Sequence, residues 1–489
     1  MDGRRELTTV VGERAGFSSR RVIVVAHRDA LGRGARAELS GTAALLELAR
    51  VLGGRTLGRT LVLASTSGGT AGLGSAAQLA RQPGGPVDAV LVLGDLAGTR
   101  TGRPIVVPWS ESTAIAPLEL RRTVEMAVVT EAGVRPGGDR PGVQLARLAV
   151  PLTLGEQGPF NARGLGAVLL SASGEQAPAA DAPVSAARLT AFGRAALRSI
   201  GALDAGDDVP ASGTYVLLEH KVLPEWPVRL LALALALPVL LAAVDAFARV
   251  RRRREPVGMW LRWVGVSALP FLLAALLAIG LFRTGLIEAA PAGPVAGAAS
   301  APNAAALASV LVLLALGWFA LRPLLLRALG VAGDPTGGGA ATAIVIVLCL
   351  ATLVVWVANP YTSLLLIPAL HLWLLAMAPE THLRRPVALT LYAVGWLPPL
   401  LVAYAIARQL GLDPLELGWM GTLLVAGGGI SLAAALVWSV VLGCAAASLV
   451  VILRSSGDEA GAIPPISVRG PQTYAGPGSL GGTESALRR

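Results

Sequence analysis

The chain has 489 residues, 54% of them hydrophobic, a net charge of +10 and a mean hydropathy of +0.63. The apolar excess over an average soluble protein lies almost entirely after Pro227, so the chain divides into a soluble part and a membrane part, each long enough for its own core. Its basic residues are nearly all arginine, Lys221 being the single lysine. They cluster beside apolar runs without interleaved aromatics, which reads as membrane topology and excludes nucleic acid as a partner.

Residues 1–7 are polar and lack the apolar core of a signal peptide. Residues 7–11 read as an edge strand. Residues 21–26 are short, β-branched and bounded by polar residues, which predicts a buried strand ending at His27. Apolar residues at Ala44, Leu45, Leu48, Val51 and Leu52 give residues 41–52 helical spacing. Strands follow at 61–64 and 89–93, helices at 74–81 and 117–130, further strands at 148–154 and 167–170, and a closing helix at 185–203. Strands alternating with helices imply an α/β sandwich with a mostly parallel sheet. Residues 1–208 are read as this domain and 209–227 as a linker. Residues 228–453 form an all-α multi-span transmembrane bundle, and 454–489 a disordered tail rich in Gly, Pro and Ser.

The ends of the strands carry the chemistry in such sheets. The first offers His27 and Asp29, the third Asp95, and the second runs into residues 65–75 with nothing ionisable. Their order is a pattern: His27-Arg28-Asp29 after a strand, then Gly34-Ala35-Arg36-Ala37-Glu38-Leu39-Ser40-Gly41 opening a helix. Ser67-Gly68-Gly69-Thr70-Ala71-Gly72-Leu73-Gly74-Ser75 follows the next strand, and Gly94-Asp95 ends the third. Over about residues 7–205 this frame resembles the di-zinc aminopeptidase family, metallopeptidase family twenty-eight, and the whole architecture resembles its membrane-bound multi-span members.

The resemblance implies a zinc-exopeptidase-like fold, a zinc cofactor and peptide substrates. It places His27 and Asp95 on zinc ligands and Asp29 on the acid that orients the histidine. Ala37 stands where the family has its bridging carboxylate, Gly68 at the general base and Gly69 at a ligand glutamate. The last histidine falls near Ala177, and the chain has no His between His27 and His220. A two-metal hydrolase needs a bridging carboxylate, a base and three or four ligands per metal, and Ala and Gly supply none of these.

The favoured reading is therefore a membrane-anchored, catalytically impaired homologue, a pseudoenzyme that binds peptides or a partner protein, with zinc absent or weakly held. His27 and Asp95 then remain as a satisfied polar pair. The rival is an active metallo-aminopeptidase with a mononuclear zinc site rebuilt from His27, Asp95 and Glu38. A third reading is a transporter-like bundle carrying an inert domain. Residues 156–160 read as shaping the pocket wall, with Glu156 either a substitute base or a solvated loop carboxylate, and Glu47 reads as a solvated helix residue. Ser171 and Ser173 have no histidine nearby in sequence, which argues against a serine hydrolase.

Apolar runs at 228–247, 263–282, 304–321, 340–358, 363–378 and 387–407 approach spanning length. Residues 417–453 are too long for one helix, and Gly427-Gly428-Gly429 divides them into a short re-entrant or surface-lying arm and a full span, giving seven crossings, with eight as the alternative. Trp226 sits at headgroup level. Arg249, the run Arg251 to Arg254, Arg262, Arg322, Arg327, Arg384, Arg385 and Arg454 fall on one side, read as cytoplasmic, which puts the soluble domain outside the cell membrane. A domain that crosses in this way needs a targeting signal, so the chain is expected to start late, with a signal or anchor upstream. Cys349 and Cys444 read as small lipid-buried residues, His371 as a packing or interhelical hydrogen-bonding residue of the fifth span, and Asp245 lies near the end of the first. Pro368, Pro398 and Pro399 are candidate kinks. His220 and Lys221 read as juxtamembrane residues.

Overall fold

A computed structural model describes residues 7–30, 35–69, 73–179, 181–219, 221–287, 302–331, 335, 338–381 and 383–455. Gly32, Gly34, Thr70, Ala71, Gly72, His220 and the expected tail beyond Ser455 lie outside the described residues.

The soluble part is built on a six-stranded sheet in the order β1 (Val10–Arg14), β3 (Arg59–Thr66), β2 (Ser18–His27), β4 (Val87–Leu93), β6 (Ala167–Leu170), β5 (Val106–Val107). The four inner strands are parallel, and both edge strands run antiparallel. The first edge strand starts three residues later than its composition suggests, and it is exposed along its whole length. Parallel strands must be covered on both faces, and Val22 to Ala26 accordingly alternate between two cores. Val22, Val24 and Ala26 pack under α1 (Ser40–Leu52), α3 (Leu118–Ala132) and α6 (Ala186–Ala205). Ile23 and Val25 face α2 (Gly74–Arg81), α4 (Pro141–Ala149) and α5 (Gln157–Asn161).

Residues 148–154 are not a strand. Leu148 and Ala149 end α4, which Pro141 opens at its first turn, and the following residues are irregular. The apolar run is short because one helix face ends there, and such runs look alike in a strand and in a helix. Within the expected linker, residues 214–218 read as a short strand-like piece, and a strand is found there. The segment folds as the hairpin β7 (Tyr215–Leu218) and β8 (Lys221–Pro224), with Tyr215 and Val216 in the second core.

At the N-terminal ends of the strands, Asp88 is buried and clamped by Arg20 and Arg59. Burial alone would push its carboxyl up, yet the two guanidinium groups hold it below the ordinary aspartate range. Arg59 Nη1 also donates to the carbonyls of Leu203, Asp204 and Gly206 at 2.7, 2.9 and 3.0 Å, which caps the C-terminus of α6.

Among the described residues, six helices are long and apolar enough to cross a membrane: α7 (Glu225–Arg252), α8 (Val257–Arg283), Ala304–Ala328, α11 (Gly338–Ala358), α12 (Pro360–Met377) and α16 (Leu432–Arg454). Ala304–Ala328 comprises α9 (Ala304–Leu316), a π turn at Gly317–Leu321 and α10 (Arg322–Ala328). The pair α13 (Arg385–Gly395) and α14 (Leu397–Leu410), bent by 42° just before Pro398 and Pro399, makes a seventh if the two count as one broken span rather than a re-entrant loop. The short apolar arm is α15 (Pro414–Ala426), capped by an Asp413–Glu416 capping box. His371 Nδ1 lies 2.9 Å from the carbonyl of Ile367, one turn back in its own helix, so its hydrogen bond is within the helix rather than across it.

The two halves meet at α4 and α12. Asn359 caps α12, its Oδ1 accepting from the Tyr361 and Thr362 amides, while its Nδ2 donates to the carbonyl of Leu148 at 2.8 Å. Thr362 Oγ1 donates to the carbonyl of Ala149 at 2.5 Å. Val228 of α7 and Tyr361 of α12 are members of the second sheet core.

Arg59→Ala strips Asp88 of a buried partner and uncaps α6, and it is expected to cost about 3–5 kcal/mol. Thermal unfolding of the detergent-solubilised chain measures this. Because the folded value of Asp88 is depressed, its contribution is present above the unfolded aspartate value and is lost as pH falls through the folded one. The Asp88→Asn variant loses that acid-side slope.

Candidate functional site

The C-terminal ends of β2 and β3 bring His27 and Thr66 side by side in register. His27 Nδ1 lies 2.7 Å from the backbone carbonyl of Asp29, which makes Nδ1 the donor and leaves Nε2 as the acceptor of the ring. The Asp29 carboxylate is 3.8 Å from Nδ1, and its Oδ1 accepts from the Gly69 amide at 3.2 Å. The residue expected to orient the histidine does so through its backbone, and its carboxylate holds the following loop.

That loop has closed onto the histidine. A Cβ built on Gly69 would fall 2.6 Å from His27 Cβ and 2.9 Å from its Cγ. Gly68 has φ +79°, and a Cβ there would meet Leu7 Cδ2 at 2.7 Å. The first atoms of the side chains that the resemblance places here have no room at one position and a strained backbone at the other.

Glu156 is the residue that sequence reasoning placed wrongly. It is 3% exposed, and Thr66 Oγ1 donates to its Oε1 at 2.6 Å. Burial pushes its carboxyl up, while the nearby His27 acts in the opposite direction. The missed signal is the segment that follows, because Gln157, Gly158, Pro159 and Phe160 are all buried and carry Glu156 inward with them.

Asp95 lies at the end of β4, 2% exposed, but turns its carboxylate onto its own loop: Oδ1 accepts from the amides of Ala97 and Gly98 at 3.0 and 2.6 Å. Burial pushes this carboxyl up as well, against the pull of the two amides. His27 and Asp95 thus have separate partners, and among the described residues no hydrogen bond or ion pair joins them. The expected polar pair is not formed: Asp95 Oδ1 is taken by the amides of its own loop, and Oδ2 is buried without a hydrogen-bond partner among the described residues.

Glu38 is buried in the turn before α1, and Ala37 beside it is buried too. Among the described residues, no group of three or more His, Cys, Asp or Glu is placed to hold a metal ion, so His27, Asp95 and Glu38 do not converge. The residues present therefore do not fit the di-zinc centre: Ala37, Gly68 and Gly69 offer no donor, and Ala177 is exposed on a loop.

The loop of Ala177 has another attachment. Glu175 Oε2 accepts from Arg147 Nη2 at 2.5 Å and from Gln409 Nε2 of α14 at 2.8 Å, and Gln176 Nε2 donates to the Gln409 carbonyl. Arg147 in turn stacks over Trp109, with its guanidinium carbon 5.1 Å from the ring centre. Ser171 and Ser173 share a 3.1 Å hydroxyl contact. Glu47 is exposed and pairs with Arg50, as its helix position predicts.

Residues 9–130 match the model of Peptidase family M28, and the soluble part resembles that family. Among solved structures, the chain is similar to BSAP, a zinc aminopeptidase from Bacillus subtilis, at 14% identity, covering 39% of this chain and 49% of that one with a TM-score of 0.31. It is similar to the LapA aminopeptidase of Legionella pneumophila at 16% identity, covering 42% and 60% with a TM-score of 0.31. It is also similar to an aminopeptidase from Aneurinibacillus sp. strain AM-1 at 17% identity, covering 44% and 51% with a TM-score of 0.33. The chain spans about half the length of the first of these structures. No curated protein matches it.

Gly69→Ala is expected to destabilise the chain by about 1–3 kcal/mol, because the atoms that must yield are His27 Cβ and Cγ rather than a flexible side-chain end. A melting curve against Gly133→Ala, a glycine with open space around it but φ +63°, separates contact from backbone strain. The raised folded value of Glu156 makes its contribution complete below the ordinary glutamate value and progressively lost as pH rises through the folded value. Glu156→Gln flattens that alkaline-side slope in a pH series of melting temperatures.

Proposed function

We propose that this protein is a multi-pass membrane protein whose peptidase-like domain is catalytically impaired and binds an extended peptide or a partner protein. The observation that carries this reading is the contact between the Gly69 backbone and His27, which occupies the space where a second metal ligand would begin. The dispersal of His27, Glu38 and Asp95 supports it and counts against the rebuilt mononuclear site. His27 keeps one ring nitrogen as an acceptor beside the carboxyl of Glu156, and this pair suits hydrogen bonding to a peptide better than activation of water.

Six to seven apolar helices support residence in a bilayer. The arginines of the α7–α8 connection, of 384–385 and of the end of α16 lie at one end of the bundle: Arg249 pairs with Glu380 at 3.8 Å, and Arg385 donates to the carbonyl of Ser455 at 3.0 Å. With that end cytoplasmic, the soluble domain lies on the outer face of the cell membrane.

Metal analysis of the purified full chain, with an aminoacyl-anilide assay beside it, tests the reading. The expected result is zinc well below stoichiometric and no hydrolysis. Stoichiometric zinc together with hydrolysis that disappears in His27→Ala overturns it in favour of a metallo-aminopeptidase.

A further inference from the structure

Arg322 stands inside the hydrophobic length of its helix, six residues before the end of α10, which is about 9 Å of helix. The π turn Gly317–Leu321 immediately precedes it. Its guanidinium carbon lies 4.5 Å from the ring centre of Trp318 and 5.2 Å from that of Trp263 on α8, and its Nε donates to Ser267 Oγ at 3.0 Å. Ser267 in turn donates to the carbonyl of Trp263, so it cannot offer Arg322 a negative charge. Arg322 Nη2 is buried without a hydrogen-bond partner.

No carboxylate among the described residues pairs with this arginine. The charged group that acts on it is a second cation, Arg454, at the end of α16. Other arginines of the same end are compensated differently. Arg249 has Asp245 at 3.3 Å and Glu380 at 3.8 Å, and Arg385 donates to the carbonyl of Ser455, the residue after α16. A cation held over two indole rings, with a like charge acting on it and one N–H group unmatched, has no anionic partner among the described residues. The anion available at this depth on the basic side of a bilayer is a lipid phosphate, and Trp263 and Trp318 are the side-chain type that lines headgroup level.

We propose that Arg322 and Arg454, flanked by Trp263 and Trp318, bind the phosphate of an anionic phospholipid at the basic end of the bundle between α8, α10 and α16. The site is separate from the pocket of the soluble domain and rests only on the bundle lying in a membrane. Arg322 supplies the buried charge and the unmatched N–H group, and Arg454 adds charge from the rim.

The test uses the full chain in nanodiscs of phosphatidylcholine alone and of phosphatidylcholine mixed with phosphatidylglycerol. The melting temperature is expected to rise when phosphatidylglycerol is present, and native mass spectra to show it retained over phosphatidylcholine. Arg322→Gln is expected to weaken that retention about tenfold, the effect of one charge-assisted bond. Arg252→Gln, at the exposed C-terminal end of α7 on the same side, is expected to leave it unchanged. Equal retention by Arg322→Gln and the unsubstituted chain overturns the proposal, as does a loss of the same size in Arg252→Gln, which reports diffuse surface charge. A full stabilisation by inorganic phosphate in phosphatidylcholine nanodiscs also overturns it, because the anion is then a soluble one. Should Arg322→Gln fail to fold, Arg454→Gln at the exposed helix end is read in its place: reduced retention supports the site and undiminished retention overturns it.

Discussion

A sheet of parallel strands has two apolar faces, and each must be covered. In this protein the two covers differ in kind. One face is closed by α1, α3 and α6, of which α6 is 20 residues long and is held by Arg59 at its C-terminus. The other is closed by the 8-residue α2, the 9-residue α4, the 5-residue α5 and the hairpin β7–β8. These are too short to finish the task, and Val228 and Tyr361 from the first turns of two long apolar helices complete the core. The soluble domain and the bundle therefore share a hydrophobic core, and the polar bonds of Asn359 and Thr362 to the end of α4 fix the angle between them. A rearrangement of the bundle reaches the sheet directly, without a flexible tether between.

The same economy explains the state of the candidate site. The loop that follows β6, where the family resemblance seeks a last metal ligand, is instead bonded to α14 through Glu175 and Gln176. The loop that follows β3 has drawn in against His27, with Asp29 bridging to the Gly69 amide. Glu156 fills the interior beside them as a buried carboxyl with a raised affinity for its proton. The three loops are held by one another and by the bundle. The buried polar groups here are met only in part: backbone amides and a threonine hydroxyl bond one oxygen each of Asp95 and Glu156, and Asp95 Oδ2 and Glu156 Oε2 have no hydrogen-bond partner among the described residues.

Arginine solves two opposite problems at the two extremes of the molecule. Under the sheet, Arg20 and Arg59 surround one buried aspartate, and charge is balanced within the protein. In the bundle, Arg322 is held by aromatic faces and a hydroxyl, with another arginine as its charged neighbour. The first arrangement is self-sufficient. The second leaves Arg322 Nη2 buried without a hydrogen-bond partner among the described residues.

The sequence alone determined the elements that period and composition specify. Helix Gly74–Arg81 and strand Ala167–Leu170 have the extents the sequence predicts, and the division at the Gly427 run and the bend at Pro398 and Pro399 were legible from residue types with strong local preferences. The order of His27, Gly68, Gly69 and Asp95 along the chain was enough to reveal a resemblance and the losses within it. What it could not carry was convergence. Whether His27 meets Asp95 depends on how each loop satisfies its own polar groups, and Asp95 bonds the amides of Ala97 and Gly98 instead. Residues 148–154 resembled a strand because a short apolar run has the same composition in either geometry, and only the packing of α4 against α12 decided it. Glu156, 129 positions after His27 in the chain by subtraction of their numbers, became its neighbour through the tertiary fold, since contacts between distant segments depend on the shape of the core and leave no local pattern.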